Sequence, residues 1–270
     1  MVTDPAGAAA VLLWGHWQAG SRVASLPVAL RPETRADGYA IQRELVAIDG
    51  GPLVGWKIAA TSAAGQAHIA VDGPLAGRLL ASRAFAPGAS LDLRGNGMRV
   101  AELEFAFRMG RGLEPRAARY EVDEVIDAVA ALHPAIEVPD SRFEPFELAG
   151  GPQLLADNAC AHEFVLGDAA PESWRALDLA GHAVRGEGAG IDVEGTGRNV
   201  LGDPRIALAW LVNELSGLGI PLASGMVVST GTCVTPIAVS PGDRVRGDFG
   251  VLGAVDVRFL YQSTRSSADS

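Results

Sequence analysis

Glu102 and Glu104 stand two residues apart in Val100-Ala101-Glu102-Leu103-Glu104-Phe105-Ala106-Phe107. Side chains at that spacing share one face of a β-strand, so the two carboxylates point the same way while Ala101, Leu103, Phe105 and Phe107 form an apolar face opposite. Like charges this close raise each other's pKa and repel unless a cation compensates them. Hard oxygen donors suit magnesium or manganese. Alone, a Glu-x-Glu pair is more often a solvated strand face than a metal site. A third carboxylate, Glu137, lies in Leu132-His133-Pro134-Ala135-Ile136-Glu137-Val138, which reads as a second strand. Three carboxylates with positions left open for water and substrate make a workable Mg2+ site.

The elements that must position these groups are marked by periodicity. Val122, Val125, Ile126, Val129 and Leu132 recur at helical spacing, and Glu121, Asp123 and Glu124 complement the dipole of a first turn, so a helix is expected from Tyr120 to Leu132. Strand, helix and strand would then bring the carboxylates together. Leu53 to Ala60 reads as another strand, with Val54, Trp56 and Ile58 on one face and Lys57 between Gly55 and Ala59 on the other. Lys57 has two readings. It is a snorkelling surface residue, or a buried cation that stabilises an enolate or carries protons beside a metal and a polarised carbonyl.

Composition narrows the function classes. The 270 residues are 48% hydrophobic and carry a net charge of −10, enough for a large core and unsuited to a phosphate-backbone partner. No run approaches the roughly 18 apolar residues of a membrane span, and the first twenty residues lack a secretory pattern, so a cytoplasmic protein is expected. Cys160 and Cys233 offer neither a disulfide framework nor zinc spacing and read as buried thiols.

The remaining chain divides into a helical segment over 1–50, a β-rich catalytic unit over 51–262 and a disordered tail over 263–270. Thr3-Asp4-Pro5 caps a helix through Ala8 to Trp17. A second helix is expected from Glu33 to Ile48, with Gly38 weakening it. Leu154 to Gly167 is apolar with a polar centre, which marks either close approach of a ligand or a turn. Asp203-Pro204 opens a helix that Gly219 closes. Short alternating runs then follow, Met226 to Thr232, Ile237 to Val239, Asp243 to Phe249 and Ala254 to Phe259. They indicate an α+β fold built on a β-rich mixed roll or barrel rather than a doubly wound sheet.

Several of these motifs, in order along nearly the whole chain, resemble the 2-oxopent-4-enoate hydratases and 4-oxalocrotonate decarboxylases of the fumarylacetoacetate hydrolase superfamily. They are Gly55-Trp56-Lys57-Ile58 with Thr61-Ser62, Glu102-Leu103-Glu104, Pro134-Ala135-Ile136-Glu137 with Asp140-Ser141, Ala156-Asp157-Asn158-Ala159, Gly219-Ile220-Pro221-Leu222, and Pro241-Gly242-Asp243 with Asp248-Phe249. The resemblance implies the C-terminal fold of that superfamily, with Mg2+ or Mn2+ held by Glu102, Glu104 and Glu137 and a mechanistic lysine at Lys57. It further implies a small 2-oxo acid substrate and a homo-oligomer, or a complex with a related family member. A 2-oxo acid chelated through its carboxylate and 2-oxo oxygens would then react through a metal-stabilised enolate. Hydration of a 2-hydroxydienoic acid is the expected reaction. Decarboxylation of 2-oxo-3-hexenedioate, acylpyruvate hydrolysis and a weakened assembly partner are the alternatives.

Departures from the family pattern shape the remaining assignments. Leu75 stands where many hydratases carry an acid that shuttles protons, leaving Asp72 as the replacement only if its loop turns inward. Cys160 and Ala161 replace a serine pair, and Ala60 replaces a glycine. Asp157, Asn158, Cys160, Thr230 and Thr232 are assigned to substrate binding, and Arg142 to the catalytic group, either on a substrate carboxylate or neutralising the acids. His133 is read as capping its helix, and neither it nor His162 has a second histidine at ligand spacing.

Overall fold

A computed structural model describes residues 4–188 and 190–261. Residues 1–3, with Thr3 of the proposed cap, and the proposed tail over 263–270 lie outside the described residues. The helices are α1 (Pro5–Ala19), α2 (Arg35–Asp49), α3 (Ala63–His68), α4 (Val122–Ile126), α5 (Gly151–Ala156) and α6 (Pro204–Gly217). The strands are β1 (Leu53–Ala59), β2 (Leu75–Leu80), β3 (Ala84–Phe85), β4 (Ala89–Asp92), β5 (Val100–Met109), β6 (Val129–Val138), β7 (Glu163–Leu166), β8 (Ala183–Gly188), β9 (Ile191–Thr196), β10 (Val227–Thr232), β11 (Ile237–Ala238), β12 (Arg244–Asp248) and β13 (Ala254–Leu260). No helix of the described residues is long and apolar enough to cross a membrane.

Two sheets result. The larger runs β2-β1-β10-β5-β6-β7-β3 with β11 also pairing β5, and the smaller runs β4-β13-β12-β8-β9. The alternation read in β5 decides how they meet. Its apolar face goes between the sheets, where Leu103 is fully buried and Phe105 stands edge-on to Phe249 at 5.3 Å. Gly186 and Gly247 of the smaller sheet allow this approach, since a Cβ at either would come within about 3 Å of the Leu103 methyls. The opposite face of β5 carries Glu102 and Glu104.

The helix expected from Tyr120 to Leu132 is only the five-residue α4. Val129 and Leu132 belong instead to β6, which continues unbroken to Val138. Both residues fit a helical period, but an apolar run that pairs along the whole of β5 is stabilised more by the sheet than by another helical turn. His133 consequently caps no helix. It sits in β6 with its Nδ1 2.9 Å from the Gly167 carbonyl oxygen.

Leu154 to Gly167 likewise resolves into the end of α5, a left-handed turn at Asn158, Ala159 and Cys160, and β7. Gly38 does not weaken α2 but lets it pack. A Cβ there would meet the Pro152 carbonyl oxygen at 2.6 Å, and α5 lies against α2 at that point. Gln42, on the same helix, donates from Nε2 to the carbonyls of Ala76 and Leu155, tying α2 to β2 and α5. Asp203 caps α6 by accepting from the Arg205 amide at 2.7 Å.

Candidate metal centre and substrate cavity

Strand register assembles the acids. In the antiparallel pair β5 and β6, Glu102 lies directly opposite Glu137 and Glu104 opposite Ala135, so the three carboxylates occupy one face of one hairpin. One oxygen from each lies within 4.8 Å of the others. Lys57 reaches them because β1 pairs β10, which pairs β5. Lys57 is opposite Ser229, and Ser229 is opposite Ala106.

Each carboxylate has a distinct environment. Glu104 is fully buried, and its Oε2 accepts from Ser229 Oγ at 2.5 Å and the Gly231 amide at 2.9 Å. Its Oε1 has no hydrogen-bond donor, and neither does Oε2 of buried Glu137. Lys57 Nζ forms an ion pair with Glu137 Oε1 at 2.9 Å. Half-buried Glu102 opens onto a cavity. Buried carboxylate oxygens without donors are costly, and here one ammonium faces three acids.

The titration shifts express that imbalance. Burial, then Glu137, pushes Glu102 up to about 7 against the pull of Lys57. Burial, Glu137 and Glu102 together hold Glu104 well above the usual carboxylate range, and burial raises Glu137 despite Lys57. Burial opposes the Lys57 charge, but Glu137, Glu102, Cys160 and Glu104 outweigh it and keep the ammonium protonated. Three hard oxygen donors clustered in a buried, charge-deficient pocket fit a divalent cation such as magnesium or manganese.

Lys57 is only 2% exposed, so the snorkelling reading does not describe it. Its second contact explains the left-handed turn. Lys57 Nζ donates to the Ala159 carbonyl at 2.9 Å, and Asn158, Ala159 and Cys160 all take positive φ to present that carbonyl. Asn158 anchors the turn on β2, accepting from the Arg78 amide at 2.7 Å and donating to its carbonyl at 2.8 Å. Gly77 permits the contact, because a Cβ there would stand 2.2 Å from the Asn158 carbonyl oxygen.

A cavity of about 840 Å3 adjoins the centre. Lys57, Glu102, Cys160 and Thr232 line it, and Leu75 closes part of its wall. Other assigned residues are elsewhere. Asp72 is exposed on the loop before β2 and does not line the cavity, so its loop does not turn inward. Arg142 is 1% exposed and bound to Asp157 through its Nε, while its guanidinium lies 4.1 Å from the Trp17 ring. Asp157 also accepts from Ser141 Oγ at 2.7 Å. Arg142 and Asp157 therefore satisfy each other in the interior, and with Asn158 they shape the turn rather than line the cavity. Thr230 is buried, donating to the Phe105 carbonyl at 2.9 Å.

Ser229 and Gly231 are the supporting residues that the strand pattern did not single out. A bulge between Ser229 and Thr232 shifts the register against β5, aiming the Gly231 amide at Glu104. A glycine inside the small, polar run Ser229-Thr230-Gly231-Thr232 was the available signal, and its φ of 102° is one that other residues resist. Thr61 packs there, where a Cβ on Gly231 would meet its Oγ1 at 2.2 Å.

No protein-family model matches the chain. It is 34% identical over 257 residues to a 2-keto-4-pentenoate hydratase of Dechloromonas aromatica, covering 93% of this chain and 96% of that one. A 2-keto-4-pentenoate hydratase of Paraburkholderia xenovorans is 31% identical, with 93% of each covered. Among solved structures, 4-oxalocrotonate decarboxylase from Pseudomonas putida, complexed with magnesium and adipate, superposes with a TM-score of 0.86 at 27% identity, over 96% of this chain and 99% of that one. The fold is of the fumarylacetoacetate hydrolase type, and the chain belongs to the 2-keto-4-pentenoate hydratase family, a family of lyase-type enzymes.

Proposed function

We propose that this protein hydrates a 2-hydroxydienoic acid, by way of its 2-oxo-enoic tautomer, in a reaction that depends on Mg2+ or Mn2+ at Glu102, Glu104 and Glu137. The observation that carries this reading is the cluster of three carboxylates, in which Glu104 Oε1 and Glu137 Oε2 are buried without a donor and Glu102 lines a cavity large enough for substrate. A divalent cation bound there supplies Lewis-acid polarisation of a 2-oxo acid.

The chain's own groups do the rest. Glu104 is held in one orientation by Ser229 and Gly231, so its second oxygen is aimed without a rotameric search. Lys57 lines the cavity as a fixed positive charge, pinned by Glu137 and the Ala159 carbonyl. Its raised pKa suits it to countering negative charge that develops on substrate, and not to removing a proton. Thr61, Ser62 and Thr232 bring hydroxyl groups to the cavity wall, where they can orient water. In the overall reaction a proton adds to the terminal carbon of the dienol. Water then adds across the conjugated double bond, with hydroxyl on carbon 4 and a proton on carbon 3.

The test is proton NMR of the Mg2+-loaded protein with 2-hydroxypenta-2,4-dienoate and, separately, with 2-oxohex-3-enedioate. A 4-hydroxy-2-oxo acid from the first is the expected product. Loss of CO2 from the second, with the first left unchanged, would contradict the reading and make the protein a decarboxylase.

A further inference from the structure

The cavity has a wall whose chemistry bears on the substrate's tail. At about 840 Å3 it lies toward the upper end of the roughly 300–1,000 Å3 that holds drug-sized ligands, more than a five-carbon acid fills. Ile69 just after α3, Leu75 at the start of β2, Phe146, and Leu154 of α5 contribute to this wall. The Phe146 ring is set nearly edge-on to His68, with centroids 5.8 Å apart.

Cations for a second carboxylate are missing from the lining. Among the described residues that line the cavity, Lys57 and His68 are the only basic side chains. Lys57 is committed to Glu137 and the Ala159 carbonyl. His68 already faces a carboxylate, its Nε2 lying 3.9 Å from Glu147 Oε1. Arg78 and Arg142, the buried arginines among the described residues, are engaged elsewhere. Arg78 stacks 4.7 Å from the Trp56 ring and donates to Gln42, and Arg142 is bound to Asp157. A tail carboxylate packed against those four apolar side chains would exchange water for aliphatic and aromatic carbon, and Glu147, which also lines the cavity, would repel it.

We propose that the protein selects 2-oxo-enoic acids bearing an extended, uncharged apolar tail and discriminates against those ending in a second carboxylate. This rests on the cavity being the 2-oxo acid site, and it concerns the tail alone. Ile69, Leu75, Phe146 and Leu154 set the preference by burying alkyl carbon, and Glu147 reinforces it by repelling an anionic end.

Calorimetric titration of the Mg2+-loaded protein with unreactive saturated 2-oxo acids separates tail recognition from chemistry. From 2-oxopentanoate to 2-oxooctanoate, affinity should rise about fourfold per added methylene. The six- and seven-carbon 2-oxo diacids should bind at least about tenfold more weakly than monoacids of equal length. Glu147→Lys, a change at the partly exposed rim, should bring each diacid to within about threefold of its monoacid. A flat alkyl series, diacids that bind as well as monoacids, or a Glu147→Lys variant that leaves the diacids unchanged would each overturn the proposal. Tail-dependent affinity without hydration of any 2-hydroxydienoate leaves the tail assignment standing and removes the hydratase reading. Hydration of the five-carbon acid with a flat series does the reverse.

Discussion

Two basic side chains, buried Lys57 and half-buried His162, are held in opposite charge states. Lys57 keeps its proton because three carboxylates surround it, whereas burial, then Arg83, Arg142 and Arg22, holds His162 well below an ordinary imidazole. His162 lies 5.5 Å from the Trp17 ring, and its Nδ1 has no partner. Its imidazole stays neutral in the fold, while the unfolded chain takes up a proton below about pH 6.5. The unfolded state then binds more protons, so stability falls as pH drops below 6.5, by up to about 1.4 kcal/mol per pH unit. Urea denaturation of His162→Gln and the parent at pH 7.5 and 5.5 should show the parent losing more stability on acidification, by about 1 kcal/mol or more. An equal loss in both would refute the neutral histidine. At this scale the shared face of Glu102 and Glu104 was legible from spacing, because period two on a strand fixes a face, whereas Glu137 joined them only through a second strand and the family resemblance. Arg142 and Asp72 were not legible, since whether a charged side chain points to substrate, to a partner acid or to solvent depends on residues remote in sequence.

Elements position the centre through close backbone approaches. β2 meets the turn at Asn158 only because residue 77 is glycine, and that turn supplies the carbonyl that holds Lys57. Gly77→Ala should therefore cost about 1–3 kcal/mol of stability, the range for overpacking a filled interior, and should lower kcat through displacement of Lys57. Chemical denaturation with steady-state kinetics checks both, and full kcat in the variant would show that the turn does not set the lysine. The element pattern was readable where one signal dominated, as in α6 with its Asp203-Pro204 start. It failed at 120–132, where helical spacing and sheet pairing compete and only the partner strand decides. The β10 bulge was equally hidden. It exists through pairing with β5, yet it brings Ser229 and Gly231 onto Glu104.

On the scale of the whole molecule, the two sheets bury one face of β5 and leave the other to concentrate negative charge beside a cavity. The fold thus carries an electrostatic cost that a bound cation relieves, which makes metal binding and folding stability a linked pair. With Mg2+ at a hundred times its dissociation constant, stabilisation should reach about 2.7 kcal/mol, raising the thermal midpoint by about 5–10 °C in a chain of this size. A midpoint indifferent to Mg2+ would contradict that linkage. Calorimetric titration of Mn2+ into the parent and Glu104→Gln probes the three-carboxylate site itself, since Glu104 is fully buried with one oxygen free of donors. The parent should bind one ion per chain, and the variant, with its fold intact, should bind at least about a hundredfold more weakly. Equal Mn2+ affinity in the two proteins would mean that the three carboxylates are not the metal site.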